Sequence, residues 1–268
     1  MTGGTMRTGI GGWIFEPWRG TFYPEGLSKT KELAYAAGKL QTIEINSTYY
    51  GTQKPETFAK WAGQVPDGFV FSVKGNRFVT NRRVLAEAGE SMQRFIKSGL
   101  AELGDRLGPL IWQFAPTKKL DLADFGAFLD LLPRKEAGLA LRHAVEVRNP
   151  SFIDPEFIAL ARAKDVAVVY AEHFHYPEIA DVTGGFVYAR LQKGDDAIET
   201  AYPAKALDRW AERARIWAKG DAPDDLPLAA PDDAAASQPR DVFIYFIHEG
   251  KVRAPQAAQA LAQRLEKR

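Results

Sequence analysis

Residues 42–50 read TIEINSTYY. Ile43 and Ile45 alternate with Thr42, Glu44 and Asn46, the two-residue period of a strand whose faces meet different surroundings. One face suits a layer of packed helices. The other carries a carboxylate and an amide, and a carboxylate on a short buried strand is costly to leave unpaired. What Glu44 meets therefore decides which architecture the strand serves. The same alternation returns in residues 143–149, HAVEVRN, where Val145 and Val147 oppose Glu146 and Arg148. In residues 185–192, GFVYARLQ, the side chains of Tyr188, Arg190 and Gln192 share one face. Residues 69–75, FVFSVKG, set Ser72 and Lys74 against Phe71 and Val73, and PLIWQF at 109–114 adds Gln113.

Three more stretches, RTGIGGW (7–13), VAVVYAE (166–172) and DVFIYFIHE (241–249), bring the strand candidates to eight. Each is short, β-branched or aromatic, and bounded by turn residues. Between them lie helix-compatible segments, one following a candidate cap at Ser28, another opening on Pro55 and a third on Asp154 and Pro155. Eight strands with helical crossovers in 268 residues predict an α/β fold, a (β/α)8 TIM barrel in a single domain over residues 1–268. An open doubly wound sheet is the rival, but GIGGW lacks the G-x-G-x-x-G spacing of a nucleotide fingerprint. Residues 220–241, rich in Pro, Ala and Asp, predict a flexible loop within this domain.

The polar residues fall late in their strands, and the carboxyl ends of barrel strands surround the active-site mouth. Parity and position thus gather Glu44, Asn46, Lys74, Gln113, Glu146, Arg148, Arg190 and Gln192 in one place. Glu44 and Glu146 are candidate acid–base residues, since two carboxyls in different environments divide such roles. His248, at the end of the last strand, is the third catalytic candidate. Lys74, Arg148 and Arg190 are candidate anion binders, arginine being suited to bidentate contacts. Asn46, Gln113 and Gln192 complete the polar substrate-binding set. A structural ion-pair network is the competing account, although buried pairs are poor stabilisers compared with apolar packing. The aromatics after the first strand, Trp13, Phe15, Trp18, Phe22 and Tyr23, form either a stacking platform or a packed lid. Trp13, Trp18 and Tyr49 enter the candidate substrate-binding set on the first of these readings.

A formal net charge of +1 gives no global footprint for nucleic acid, so any such partner must be held by a local cluster. The absence of cysteine excludes disulfides and thiolate chemistry. His173 and His175 make a nonspecific ligand pair. No metal site is assigned; the cofactor is undefined and a divalent metal remains open. No G-x-S-x-G elbow or P-loop occurs. No apolar run reaches membrane-spanning length, and MTGGTMRTG lacks a signal-peptide layout, so a cytoplasmic protein without a membrane partner is expected.

The blocks GIGGWIFEPWRGTFYP, TIEINSTYYGTQKPETFAKW, FSVKGNRFVT, LGPLIWQFAP, HAVEVRNPSF and YARLQ, with VFIYFIHEGKVRAPQAAQAL at the end, resemble in order the domain-of-unknown-function 72 family, also called YecE-like. The resemblance spans nearly the whole chain and implies a TIM barrel without implying an activity. It maps the family pattern onto Trp13, Trp18, Tyr23, Pro24, Glu44, Asn46, Tyr49, Tyr50, Lys74, Gln113, Glu146, Arg148 and Arg190. Two departures fall at the mouth. Family members commonly read Arg-Leu-His-Gly where this chain has Arg190, Leu191, Gln192 and Lys193, and an Asn pair where it has Ile247 and His248. The expected function is an enzyme acting on an anionic, phosphate-bearing small molecule or a phosphodiester. A noncatalytic nucleic-acid-binding barrel and a degenerate scaffold barrel are the alternatives.

Overall fold

Every strand candidate becomes a strand, and one becomes two. In the computed structural model, which describes residues 3–266, nine parallel strands form one sheet. They are β1 (Met6–Gly11), β2 (Thr42–Ile45), β3 (Val70–Lys74), β4 (Leu107–Gln113) and β5 (His143–Glu146). Then follow β6 (Ala167–Val168), β7 (Tyr170–Glu172), β8 (Phe186–Lys193) and β9 (Asp241–Glu249). Their order in space is β6-β5-β4-β3-β2-β1-β9-β8-β7. The edge strands β6 and β7 are separated in the chain only by Val169, so the sheet curls into a nearly closed barrel. Eight strands were expected because VAVVYAE reads as one. Its first half pairs with β5 through Ala144–Ala167 and Val145–Val168, its second with β8 through Tyr170–Ala189 to Glu172–Leu191. Strand tilt and twist keep one short strand from staying in register with both neighbours, and the ladder changes partner at Val169.

Helices return the chain to the start of the next strand, over Pro55–Ala62, Gly89–Ile96, Leu122–Asp130, Pro155–Ala163 and Ala204–Lys219. Ala254–Glu266, after the last strand, packs on β1, where the Thr8 hydroxyl donates to the Ala258 carbonyl. Asp154 accepts hydrogen bonds from the backbone N–H groups of Glu156 and Phe157, and Asp121 from that of Asp124. These caps satisfy donors that a helix start leaves unpaired. Ser28 does not cap: its hydroxyl lies 3.1 Å from that of Thr30, and a 3-10 turn, Lys29–Lys31, precedes the helix Glu32–Ala37. Residues 221–240 contain neither helix nor strand, and Asp241 already belongs to β9. The segment is pinned by the backbone N–H groups of Ala229 and Ala230, which donate to Asp181 at 2.6 and 3.0 Å. Buried Arg240 adds bonds to the carbonyls of Gly184, Gly220 and Gln238. Among the described residues no helix is long and apolar enough to cross a membrane.

The apolar side chains divide by strand parity into two cores. Ile43, Ile45, Val73, Val145 and Val147 pack outward under the helices. A separate cluster, including Ile111, Ala144, Val169, Tyr188, Phe243 and Tyr245, fills the barrel. Large residues of β8 and β9 face small ones of β1: Tyr188 and Tyr245 stack at 4.9 Å, and Gly9 lies in register with Tyr245. Gly9 is obligatory, because a Cβ there would come within 1.9 Å of the Thr42 carbonyl oxygen. The amino end of the barrel is closed by Arg7 and Arg142 over the Phe243 ring, both ion-paired to Asp241.

His143 begins β5 at this closed end, away from the mouth. Its Nδ1 accepts from the Trp112 indole at 3.1 Å and its Nε2 meets the Pro133 carbonyl at 2.8 Å, which requires a neutral ring protonated at Nε2. Burial pushes its pKa down from 6.5 to about 4. Between those values the unfolded chain holds the extra proton, so stability rises with pH across that window and falls on acidification through it. Chemical denaturation in His143→Phe is expected to show a shallower stability slope between pH 4 and 6.5 than in the wild type. An unchanged slope would remove His143 as its source.

Candidate active site

Inward-facing residues of β2, β5 and β8 converge on one buried ionic assembly. Glu44 and Glu146 have no exposed surface, and Arg190 is 5 % exposed. The Arg190 Nη2 donates to Glu44 Oε1 at 3.0 Å, and its Nη1 donates to Glu146 Oε2. The other Glu44 oxygen accepts from the Tyr188 hydroxyl at 2.6 Å, which in turn lies 2.8 Å from the Ser72 hydroxyl. Glu146 Oε1 accepts from Arg148 Nε at 2.6 Å and Gln113 Nε2 at 3.1 Å. Every carboxylate oxygen of the pair is thus occupied. Burial by itself pushes the Glu146 carboxyl up, but Arg190, Arg148 and Lys74 together bring it down to about 2. Its carboxylates raise the Arg190 pKa in spite of burial.

Above this assembly a cavity of about 870 Å3 opens at the carboxyl ends of the strands. Asn46, Lys74, Gln113, Arg148, Arg190 and Gln192 line it. Lys74 makes no ion pair among the described residues; its ammonium sits 4.4 Å from the Tyr49 ring centroid, a cation–π contact. Burial and then the nearby Arg190 lower its pKa from 10.5 to about 8. Three cations, Lys74, Arg148 and Arg190, therefore share two carboxylates. Two buried donors of the lining residues have no partner, Arg190 Nε and Gln192 Nε2. A buried donor is normally bonded to protein or water, and leaving one unpaired costs about 1–3 kcal/mol.

Trp13 lines the cavity and packs edge-on against Trp61 at 5.2 Å. Trp18 also lines the cavity, but it is 1 % exposed, packed against Phe15, Phe22 and Tyr23, with its indole N–H on the Lys251 carbonyl. Tyr49 stands over Lys74 rather than on the cavity wall, while its neighbour Tyr50 reaches the lining. His248 lines the rim, 57 % exposed at its side chain and 3.2 Å from Glu249. Its positive φ of 70° belongs to an irregularity in which β9 carries one more residue than β8 between the Leu191–Phe246 and Lys193–Glu249 pairs. Bulges of this kind re-aim side chains at barrel rims. His173 follows β7 at the same edge, stacked on Tyr176 at 3.9 Å with its ring 5.5 Å from that of His248. Its Nδ1 accepts from the His175 backbone, and among the described residues no group of three or more His, Asp or Glu is placed to hold a metal ion.

Two contributors escaped the sequence reading. Tyr188 buttresses Glu44 and is two residues from Arg190, so parity already carried that signal. Tyr176, sandwiched between His173 and the Arg148 guanidinium at 4.6 Å, lies in a loop with no periodicity to announce it.

The family described as "Protein of unknown function DUF72" matches residues 7–268. The UPF0759 protein YecE of Escherichia coli K12 is 29% identical over 111 residues, 41% of this chain and 39% of that protein. The chain thus spans about two fifths of the length of the curated relatives it matches. Among solved structures, a DUF72 family protein from Enterococcus faecalis V583 superposes with a TM-score of 0.70 at 18% identity, covering 98% of this chain and 96% of its own. One from Thermotoga maritima MSB8 gives 0.69 at 20% identity, with 96% and 97% covered. At these identities the likeness establishes the fold.

The ionic assembly makes a stability ranking. Glu146→Ala leaves Arg148 and part of Arg190 without a counter-ion, an expected loss of about 3–5 kcal/mol. Tyr188→Phe removes one hydrogen bond to Glu44 and should cost about 1–3 kcal/mol. The stabilisation from the lowered Glu146 pKa is complete above about 4.5 and is lost as pH falls toward 2. Urea denaturation at neutral pH and at pH 3 checks both; equal losses in the two variants would refute the ranking.

Proposed function

The chain belongs to the DUF72 family, and on the geometry of its barrel mouth we propose that it is an enzyme acting on an anionic, phosphate-bearing small molecule. The carrying observation is Lys74, a half-buried cation on the cavity wall with no direct ion pair among the described residues. Arg190 spends its two terminal nitrogens on Glu44 and Glu146, which leaves Lys74 and the outer part of Arg148 for a ligand oxygen. Such an array of fixed donors around a net positive charge suits an oxyanion. A small ligand fits the cavity, whose size lies within the usual range for such sites.

In this reading Glu44 and Glu146 hold the arginines in place, since both are fully enclosed and saturated with donors. Proton transfer falls instead to groups that reach the cavity. Lys74, with a pKa near 8, exchanges a proton close to neutrality, and His248 stands at the rim. Asn46 and Gln113 orient the substrate, and Trp13 gives it an apolar wall. Lys74 is cationic below pH 8 and neutral above it, so it attracts an anion most strongly at lower pH.

Calorimetric titration with inorganic phosphate and glycerol phosphate tests this reading. Binding is expected to weaken as pH rises through about 8, and Lys74→Met should remove that step and lower affinity about tenfold. Arg148→Ala should weaken binding comparably, and turnover of any phosphate ester found in a substrate screen should be lost in Lys74→Met. If the wild type binds neither phosphate, or the variants bind as the wild type does, the mouth is not an anion site.

A further inference from the structure

Beside the mouth lies a second cavity, of about 630 Å3, that the reading above does not use. Its walls carry three arginines, Arg77, Arg82 and Arg94, and the aromatic ring of Phe78. The arginines are poorly matched by acids. Arg94 pairs with Glu90 at 2.6 Å on the surface. Arg82 donates one bond to the Ser91 hydroxyl at 2.9 Å, while its Nε is buried with no partner. Arg77 makes no ion pair or hydrogen bond among the described residues; its guanidinium lies 5.9 Å from the Tyr50 ring centroid and 5.6 Å from that of Phe78.

The aromatics are out of place as packing residues. Phe78 is 63% exposed and Tyr50 68% exposed, although both neighbour fully buried side chains such as Val79 and Thr48. Their positions are set by the fold. Asn76 accepts from the Phe78 backbone N–H at 2.9 Å and donates to the Thr48 carbonyl at 3.0 Å, tying the turn Arg77–Thr80 to the segment after β2. The exposed rings are therefore held on a pinned turn. Tyr50 itself lines the mouth cavity and stands beside Arg77 of the second one.

We propose that this second cavity binds a free nucleoside monophosphate, its phosphate on Arg77 and Arg82 and its base on the face of Phe78. A guanidinium fork fits phosphate geometry, and an exposed aromatic face on a fixed turn fits a planar base. An inorganic anion would use the arginines and leave the ring bare; an apolar ligand would leave Arg77 and Arg82 unmatched. The volume suits one nucleotide-sized molecule. The site stands apart from the anion site of the mouth, whose residues it does not share.

Calorimetry with AMP, adenosine and inorganic phosphate tests it in the full chain. AMP is expected to bind more tightly than either fragment. Arg77→Ala, whose side chain makes no internal bond, should weaken AMP about tenfold, and Phe78→Ala by a similar factor. Lys74→Met, in the mouth, should leave AMP affinity within about twofold. Arg77→Ala/Arg82→Ala should abolish the tight AMP site while leaving the Lys74-dependent phosphate binding of the mouth in place, with circular dichroism confirming a folded chain; if that variant unfolds, Arg77→Ala alone decides. AMP affinity indifferent to Arg77, or lost in Lys74→Met, would overturn the proposal. Inorganic phosphate binding as tightly as AMP in Lys74→Met, where the mouth site is removed, would refute the base contact. A short single-stranded oligonucleotide binding more tightly than AMP would overturn the assignment to a free nucleotide.

Discussion

Arg190 bridges two carboxylates that sit on other sides of the barrel. Glu44 comes from β2, Glu146 from β5 and Arg190 from β8, spaced almost evenly around the ring. With both carboxylates fully enclosed, each charge needs the others, because an isolated ion in such a place would cost several kcal/mol. The bridge fixes the arginine's terminal nitrogens, and from it hang the remaining contacts. Tyr188 and Ser72 extend it through Glu44; Arg148 and Gln113 extend it through Glu146.

The stoichiometry of this bridge shapes the mouth above it. Two carboxylates take both terminal nitrogens of one arginine and the Nε of a second, which leaves Lys74 facing the cavity with no direct ion pair among the described residues. A network built only for stability would close on itself, and well-packed apolar residues would serve that purpose as well. Here the apolar residues do that work elsewhere in the interior, where Tyr188, Tyr245, Phe243 and Ile111 pack below the ions. At the open end the excess of positive charge faces the cavity. The amino end shows the opposite solution, with Arg7 and Arg142 turned onto Phe243 and Asp241.

Much of the fold was legible in the chain because strand parity is local. Ile43 and Ile45 announce an outer face and Glu44 an inner one, and the structure places them so. The gathering of Glu44, Lys74, Gln113, Glu146, Arg148, Arg190 and Gln192 followed from parity combined with position along each strand. Parity stops at the strand ends, and there the sequence reading was least informative. Trp18 reads as either a stacking platform or a packed ring, and it takes a place on the cavity wall while packed in its own aromatic cluster, since nothing local shows which rings will cover it. Phe78 and Arg77 lie on a four-residue turn, too short for a period, and their exposure depends on the Asn76 contact to a distant carbonyl.

The sequence by itself determined which side of each strand is polar, the parallel α/β barrel, and the set of charges that must meet inside it. Those follow from a two-residue period and from the cost of burying an unpaired carboxylate. The tertiary structure alone decided who pairs with whom. It gave Arg190 to both glutamates, divided the sixth strand at Val169 so that the sheet could close, and left Lys74 over Tyr49 with no direct ion pair among the described residues. Pairing depends on barrel tilt and on which strands face one another across the interior, quantities that no single strand encodes.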